Sequence, residues 1–150
     1  MKRRAGLAAL LTLPAVAAAR AGKPAGTVED GPFVEHRVVL QLSDRDAARQ
    51  ALVLSVSFNL LSAYGPDKVA IEVVAFGPGI VLLRQGNPNG KLIDSLVAQG
   101  VRFAICMNTV ETEARKGGAR FPINPKARRV AMGVPRMLEL AEAGYTPIRP

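Results

Sequence analysis

The run VAIEVVAF, residues 69–76, constrains the fold more than any other stretch of the chain. It is β-branched and apolar almost throughout, without the polar alternation of a strand that keeps one face in water. Such a strand belongs in a sheet buried on both faces. Gly77-Pro78-Gly79 ends it abruptly. Strand-like and helix-like segments alternate on either side, which predicts an α/β domain with a largely parallel sheet.

The first strand is expected at HRVVLQL, residues 36–42. Ser43, with Asp46 three residues later, is the expected cap of a helix through AARQALVLSVSFNLLSAYG, which Gly65 stops and Pro66 prevents from continuing. That helix is apolar almost all round, with only Ser55, Asn59 and Ser62 as a narrow polar stripe. A helix of this kind is covered on a second side, by neighbouring helices or by another subunit. Residues 80–84 suggest a short helical turn, and Asn87-Pro88 a cap with proline at the first helical position, ahead of a helix that stops at Gly100. Residues 101–106 form the third strand. Asn108 and Glu111 then resemble a capping box opening a helix that Gly117-Gly118 terminates. RFPINPKA is a proline-punctuated loop, residues 129–132 a short strand, and Pro135 opens a helix running to Gly144. The tail YTPIRP is expected as an edge strand, because Pro147 cannot donate to a central ladder.

The N-terminus bears on compartment. Lys2, Arg3 and Arg4 precede the apolar run GLAALLTLPAVAAA, and small residues at Ala19 and Ala21 flank Arg20. This is the pattern of a secretory signal peptide, shorter than a membrane span. Export is expected, to the periplasm or the exterior, with cleavage near Ala21 and no stable membrane span afterwards. Residues 1–21 hold four cations and no acid, so their removal halves the net charge of +8. The remaining excess is ordinary for one domain. The chain has no tryptophan, two tyrosines and five phenylalanines, and its densest basic cluster is Lys126, Arg128 and Arg129. A nucleic-acid surface needs a concentrated basic face with aromatic platforms, so that role is not expected and the cluster reads as a solvated loop. Residues 22–35, GKPAGTVEDGPFVE, read as a flexible lead-in.

Cys106 is the only cysteine, so no disulfide can form within the chain and the fold must rest on its core. His36 is the only histidine, and nothing resembles paired Cys/His spacing. Neither a metal site nor a Ser-His-Asp or Cys-His arrangement is therefore expected. Cys106 falls where the third strand gives way to a helix, at the carboxyl end of the sheet where α/β folds bind ligands. Helix N-termini stabilise anions, and the thiolate is the nucleophilic form of cysteine. Asn108 and Thr109 add hydrogen-bonding groups beside it. The other reading is a buried thiol acting as a small hydrophobe. Gly77, Pro78 and Gly79 have two readings too: a backbone that approaches an anion, or a tight turn.

VAIEVVAFGPGIVLL, LVAQGVRFAICMNT and VAMGVPRMLELAEAGY together resemble the DsrE/DsrF-like family, whose fold is shared by sulfur-relay subunits of the TusD type and by YchN-type proteins. The resemblance spans nearly all of residues 36–150. It rests on the order of a β-strand ending in G-P-G, a G-V-x-F strand ending in cysteine, and a late G-V-x-x-x-x-E-L helix. It implies a three-layer α/β/α single domain with a five-stranded, mainly parallel sheet, assembling into dimers, trimers or hexamers. In relay members the cysteine after the third strand carries a persulfide between donor and acceptor proteins, without a cofactor. Cys106 matches that cysteine by position. The expected function is thus sulfur carriage or persulfide transfer by an exported family member. The alternative is a non-catalytic oligomeric module that binds a small ligand or a protein and keeps a structural cysteine.

Overall fold

A computed structural model describes residues 30–117 and 119–150. The expected signal peptide, residues 22–29 of the lead-in, and Gly118 lie outside the described residues. Five strands form one parallel sheet: β1 (His36–Leu42), β2 (Val69–Ala75), β3 (Arg102–Cys106), β4 (Arg128–Val130) and β5 (Thr146–Ile148), in the order β4-β3-β2-β1-β5. Helices α1 (Ala47–Tyr64), α2 (Gly90–Ala98), α3 (Met107–Gly117) and α4 (Gly133–Glu142) connect them, with a 3₁₀ segment, Gly77–Leu83, directly after β2. The chain folds as the α/β class its pattern predicts, with helices on both sheet faces.

All seven residues of β2 are buried, as an unalternating strand requires. Val38, Leu40, Ile71, Val73, Phe103 and Ile105 point to one face and pack under α1, α2 and the 3₁₀ segment. Val39, Ala70, Val74 and Ala104 point to the other, under Leu140 of α4 and Tyr145. Fully burying a large apolar side chain contributes about 1.5–3 kcal/mol, so the first face supplies most of the apolar stabilisation. β5 pairs only with β1, and Pro147 lies on that sheet edge, opposite Val39. On α1, Ser55, Asn59 and Ser62 face solvent while α2 packs alongside. Among the described residues no helix is long and apolar enough to cross a membrane.

Several local expectations are corrected. Asp46, not Ser43, caps α1: its Oδ1 accepts from the Arg49 N–H at 3.0 Å. Ser43 instead accepts from Gln41 Nε2 at 3.3 Å. Asn87 is not the cap of α2, which starts at Gly90; its Oδ1 turns back to the N–H of Asn89 at 2.9 Å, leaving Pro88 outside the helix. The Asn108–Glu111 capping box is not made, because α3 already begins at Met107 and Asn108 lies within its first turn. The last part of the lead-in is not loose: Asp30 is fixed by Arg37 and Arg102 at 2.9 and 3.2 Å.

Candidate functional site

The chain leaves β1, β2 and β3 towards the face of α1 and α2, where Val110 and Met107 of α3 join the same core. It leaves β4 towards the opposite face, where α4 packs. The connections therefore diverge between the carboxyl ends of β3 and β4, the place where α/β sheets form a crevice. Cys106, the last residue of β3 and the register partner of Val130, occupies that point. By strand alternation its side chain shares the face of Arg102 and Ala104, towards α4.

The crevice is tightly closed. The Asn108 N–H donates to the Ala131 carbonyl at 3.0 Å, tying the start of α3 to the loop before α4. Gly133 lies so close to Phe76 that an added Cβ would sit 2.8 Å from that residue's Cβ. Only glycine allows α4 to start there. Cys106 is 4% exposed. A cleft of about 340 Å³ opens beside it, among Val130, Met132, Pro135 and Arg136, and Cys106 does not line it. His36 starts β1, at the opposite end of this parallel sheet, and stacks with Tyr64 at 4.1 Å. The two cannot form a catalytic pair.

The other expected site residues fall into two groups. Thr109 Oγ1 accepts from the Gly77 N–H at 3.1 Å, so the third-strand loop and the G-P-G turn do meet. That bond commits the Thr109 hydroxyl to the G-P-G turn, and the Asn108 side chain faces solvent. Gly79 presses on the end of β1: an added Cβ would stand 2.2 Å from the Leu42 carbonyl oxygen. Its backbone approach serves packing against β1. Pro78 lines a cleft with Arg45 and Arg84.

Sequence pattern missed a charged cluster beneath α4. Glu72, in the middle of β2, is fully buried. Its carboxylate accepts from Arg136 Nε and Nη2 at 2.8 and 2.9 Å and from Arg102 Nε at 3.1 Å. Arg102 also reaches Asp30 and the Tyr145 hydroxyl, and that hydroxyl donates to Asp30. Burial opposes ionisation of Glu72, yet the hydrogen bonds and charges of Arg136 and Arg102 outweigh it and hold its pKa below the ordinary value. Burial, then the hydrogen bond to Asp30, pushes the Tyr145 phenol up to about 12, against the pull of Arg102. The cluster is satisfied internally: no buried side-chain nitrogen or oxygen among the described residues lacks a partner. It supports the fold and leaves no open valence for a ligand. The signal was in view, since Glu72 is the one charge inside VAIEVVAF.

No group of three or more His, Cys, Asp or Glu side chains among the described residues could hold a metal ion. No protein-family model matches the chain, and no curated protein matches it. Among solved structures it is similar to the protein of unknown function MTH1491 from Methanobacterium thermoautotrophicum, at 30% sequence identity and a TM-score of 0.69. The similarity covers 77% of this chain and 100% of that one.

Proposed function

The chain belongs to the family of the MTH1491 protein, and on the motifs that resemble the DsrE/DsrF-like family we propose that it is an exported member carrying sulfane sulfur on Cys106. One observation carries this reading: Cys106 ends β3 at the point where the connections of β3 and β4 diverge. In the step proposed, the Cys106 thiolate attacks the terminal sulfur of a donor persulfide. A new S–S bond forms on Cys106 as the donor's S–S bond breaks, and the donor leaves as a thiolate. The reaction is a transfer with no net oxidation, and it requires no cofactor. A sulfur donor or acceptor protein is the implied partner.

With the thiol nearly covered, transfer requires the loop from Ala131 to Gly133 to yield, since it closes the crevice against Asn108. Incubating the folded protein with a low-molecular-weight persulfide should add the mass of one sulfur atom, and Cys106→Ser should abolish the gain. Alkylation of Cys106 only after unfolding, with no sulfur uptake by the native protein, would overturn the proposal.

A second reading has its own support. Met132, Val134 and Leu138 expose 52%, 60% and 60% of their surface at and before α4, while Cys106 is buried. These features suit a self-associating binding module with a structural cysteine. Light scattering should then show an oligomer whose size falls on Leu138→Ser, with no sulfur uptake in either protein.

A further inference from the structure

We propose that a second cleft, between the loop after β1 and the middle of α3, binds a small organic monoanion with a single-ring or short-chain apolar body. This site is independent of Cys106. The cleft measures about 310 Å³ and lies at the carboxyl ends of β1 and β2. That volume is at the low end for small-molecule sites, which sets the size of the occupant. Arg45 and Arg84 supply its positive charge, and Pro78, Val81 and Phe121 its apolar surface. Neither arginine forms an ion pair among the described residues. The one carboxylate in the lining, Glu113, is offset by Lys116 at 3.4 Å. The cleft therefore combines an excess of positive charge with an apolar lining.

The walls are fixed before any ligand arrives. The G-P-G turn is held by Thr109 on one side and by the contact of Gly79 with Leu42 on the other. Loop 121–124 is fastened to the end of the 3₁₀ segment by a bridge between Arg84 and Ile123. Backbone bonds from Gln85 to Pro122, at 2.7 Å, and from Asn124 to Leu83, at 2.8 Å, reinforce it. Arg84 already lies over the Phe121 ring, its guanidinium carbon 5.6 Å from the centroid. The Arg45 carbonyl accepts from Gln50 Nε2 at 2.9 Å, which anchors that loop to α1. A preorganised site loses less on binding than one that must order its loops. An arginine stacked on an aromatic ring still offers its planar edge to a carboxylate. The apolar wall distinguishes an organic anion from inorganic phosphate, which would leave it unfilled.

Benzoate is the probe, with benzamide as its neutral counterpart and inorganic phosphate as the anion without an apolar body. Titration of the folded protein by NMR should show saturable benzoate binding that perturbs Gly77 and Phe121. Benzamide and phosphate should each bind at least about tenfold more weakly, the equivalent of one charge-assisted hydrogen bond or one small apolar contact surface. Arg45→Ala and Arg84→Ala should each weaken benzoate about tenfold. Both residues are exposed, so both variants should fold, Arg45→Ala melting with the parent and Arg84→Ala slightly lower, by no more than the loss of its contact with Phe121. Cys106→Ser should leave benzoate affinity unchanged. No saturation by about 10 mM benzoate would overturn the proposal, since that is beyond even millimolar affinity. Equal affinity for benzamide or phosphate, indifference to both arginine variants, or loss of binding in Cys106→Ser would do the same.

Discussion

The two faces of the sheet are built on different physics. Under α1, α2 and the 3₁₀ segment, the sheet presents Leu40, Ile71, Val73, Phe103 and Ile105, a dry face of large aliphatic and aromatic groups. Under α4 it presents Val39, Ala70, Val74 and Ala104, mostly smaller, with Glu72 and Arg102 among them. One face is held by apolar area, which is non-directional and tolerates volume-conserving exchange. The other depends on a carboxylate whose partners must all be in place. A single helix suffices on the second face because the ion cluster fixes it: Arg136 of α4 reaches Glu72 directly, and Tyr145 after α4 reaches Arg102.

The largest expected effect separates the two faces by pH. Glu72→Gln leaves Arg102 and Arg136 buried against a neutral group, and should cost about 3–5 kcal/mol at neutral pH. Glu72 has its folded pKa below the ordinary value. Its contribution is therefore present above the ordinary carboxylate range, near about 4.3, and is lost as pH falls through the lower folded value. The deficit of Glu72→Gln should shrink in acid. Leu96→Ala, on the dry face, should cost about 2–5 kcal/mol with a deficit that stays flat over the same pH range. Denaturant melts of both variants at neutral and acid pH check the pair. Parallel pH profiles would erase the distinction between the faces.

These contrasts also explain what was legible in the sequence. The dry face was readable because its signal is local: VAIEVVAF and HRVVLQL declare buried strands within a few residues. Gly65 and Gly144 mark helix ends, taking φ of 88° and 93° there. The ion cluster was not, because its members are remote: Glu72 and Arg136 are 64 residues apart, Asp30 and Tyr145 115. No periodicity links such partners, and Asp30 sits in a stretch whose Gly, Pro and charge suggested a loose lead-in. The cap at Ser43 failed for a nearer reason. Asp46 stands three residues closer to the helix and its carboxylate is a capping group of at least equal strength. At the site, Cys106 was located correctly at the strand end. Its burial was not legible, since it follows from Asn108 meeting Ala131 and Gly133 meeting Phe76 across the sheet.

Tyr145 tests whether the cluster extends as a unit to the lead-in. Its hydroxyl accepts from Arg102 and donates to Asp30. Tyr145→Phe should cost about 1–3 kcal/mol, because it leaves two buried partners short of a hydrogen bond. The phenol, raised to about 12, stays protonated across the neutral range. Its stabilising share is complete below the ordinary tyrosine value of about 10 and is lost as pH rises through about 12. Ultraviolet titration of the parent should show an ionisation near 12 that Tyr145→Phe removes. A parent that completes its tyrosine titration near 10 would detach Tyr145 from the cluster.

The smallest expected effect lies on the dry side, at the join between the two loops that frame the carboxyl end. Thr109→Val keeps the shape of the side chain and removes only the oxygen that accepts from the Gly77 N–H. One neutral hydrogen bond contributes about 1 kcal/mol, and Gly77 is half-buried, so the stability loss should be of that order. Function gives the sharper readout. If the Thr109–Gly77 bond fixes the wall of the Arg45–Arg84 cleft, Thr109→Val should weaken benzoate while leaving sulfur uptake at Cys106 unchanged. The reverse result, sulfur uptake lost and benzoate retained, would place Thr109 with the thiol and make the two loops one site. The variant thus decides whether the carboxyl end of this sheet carries two separate centres or one.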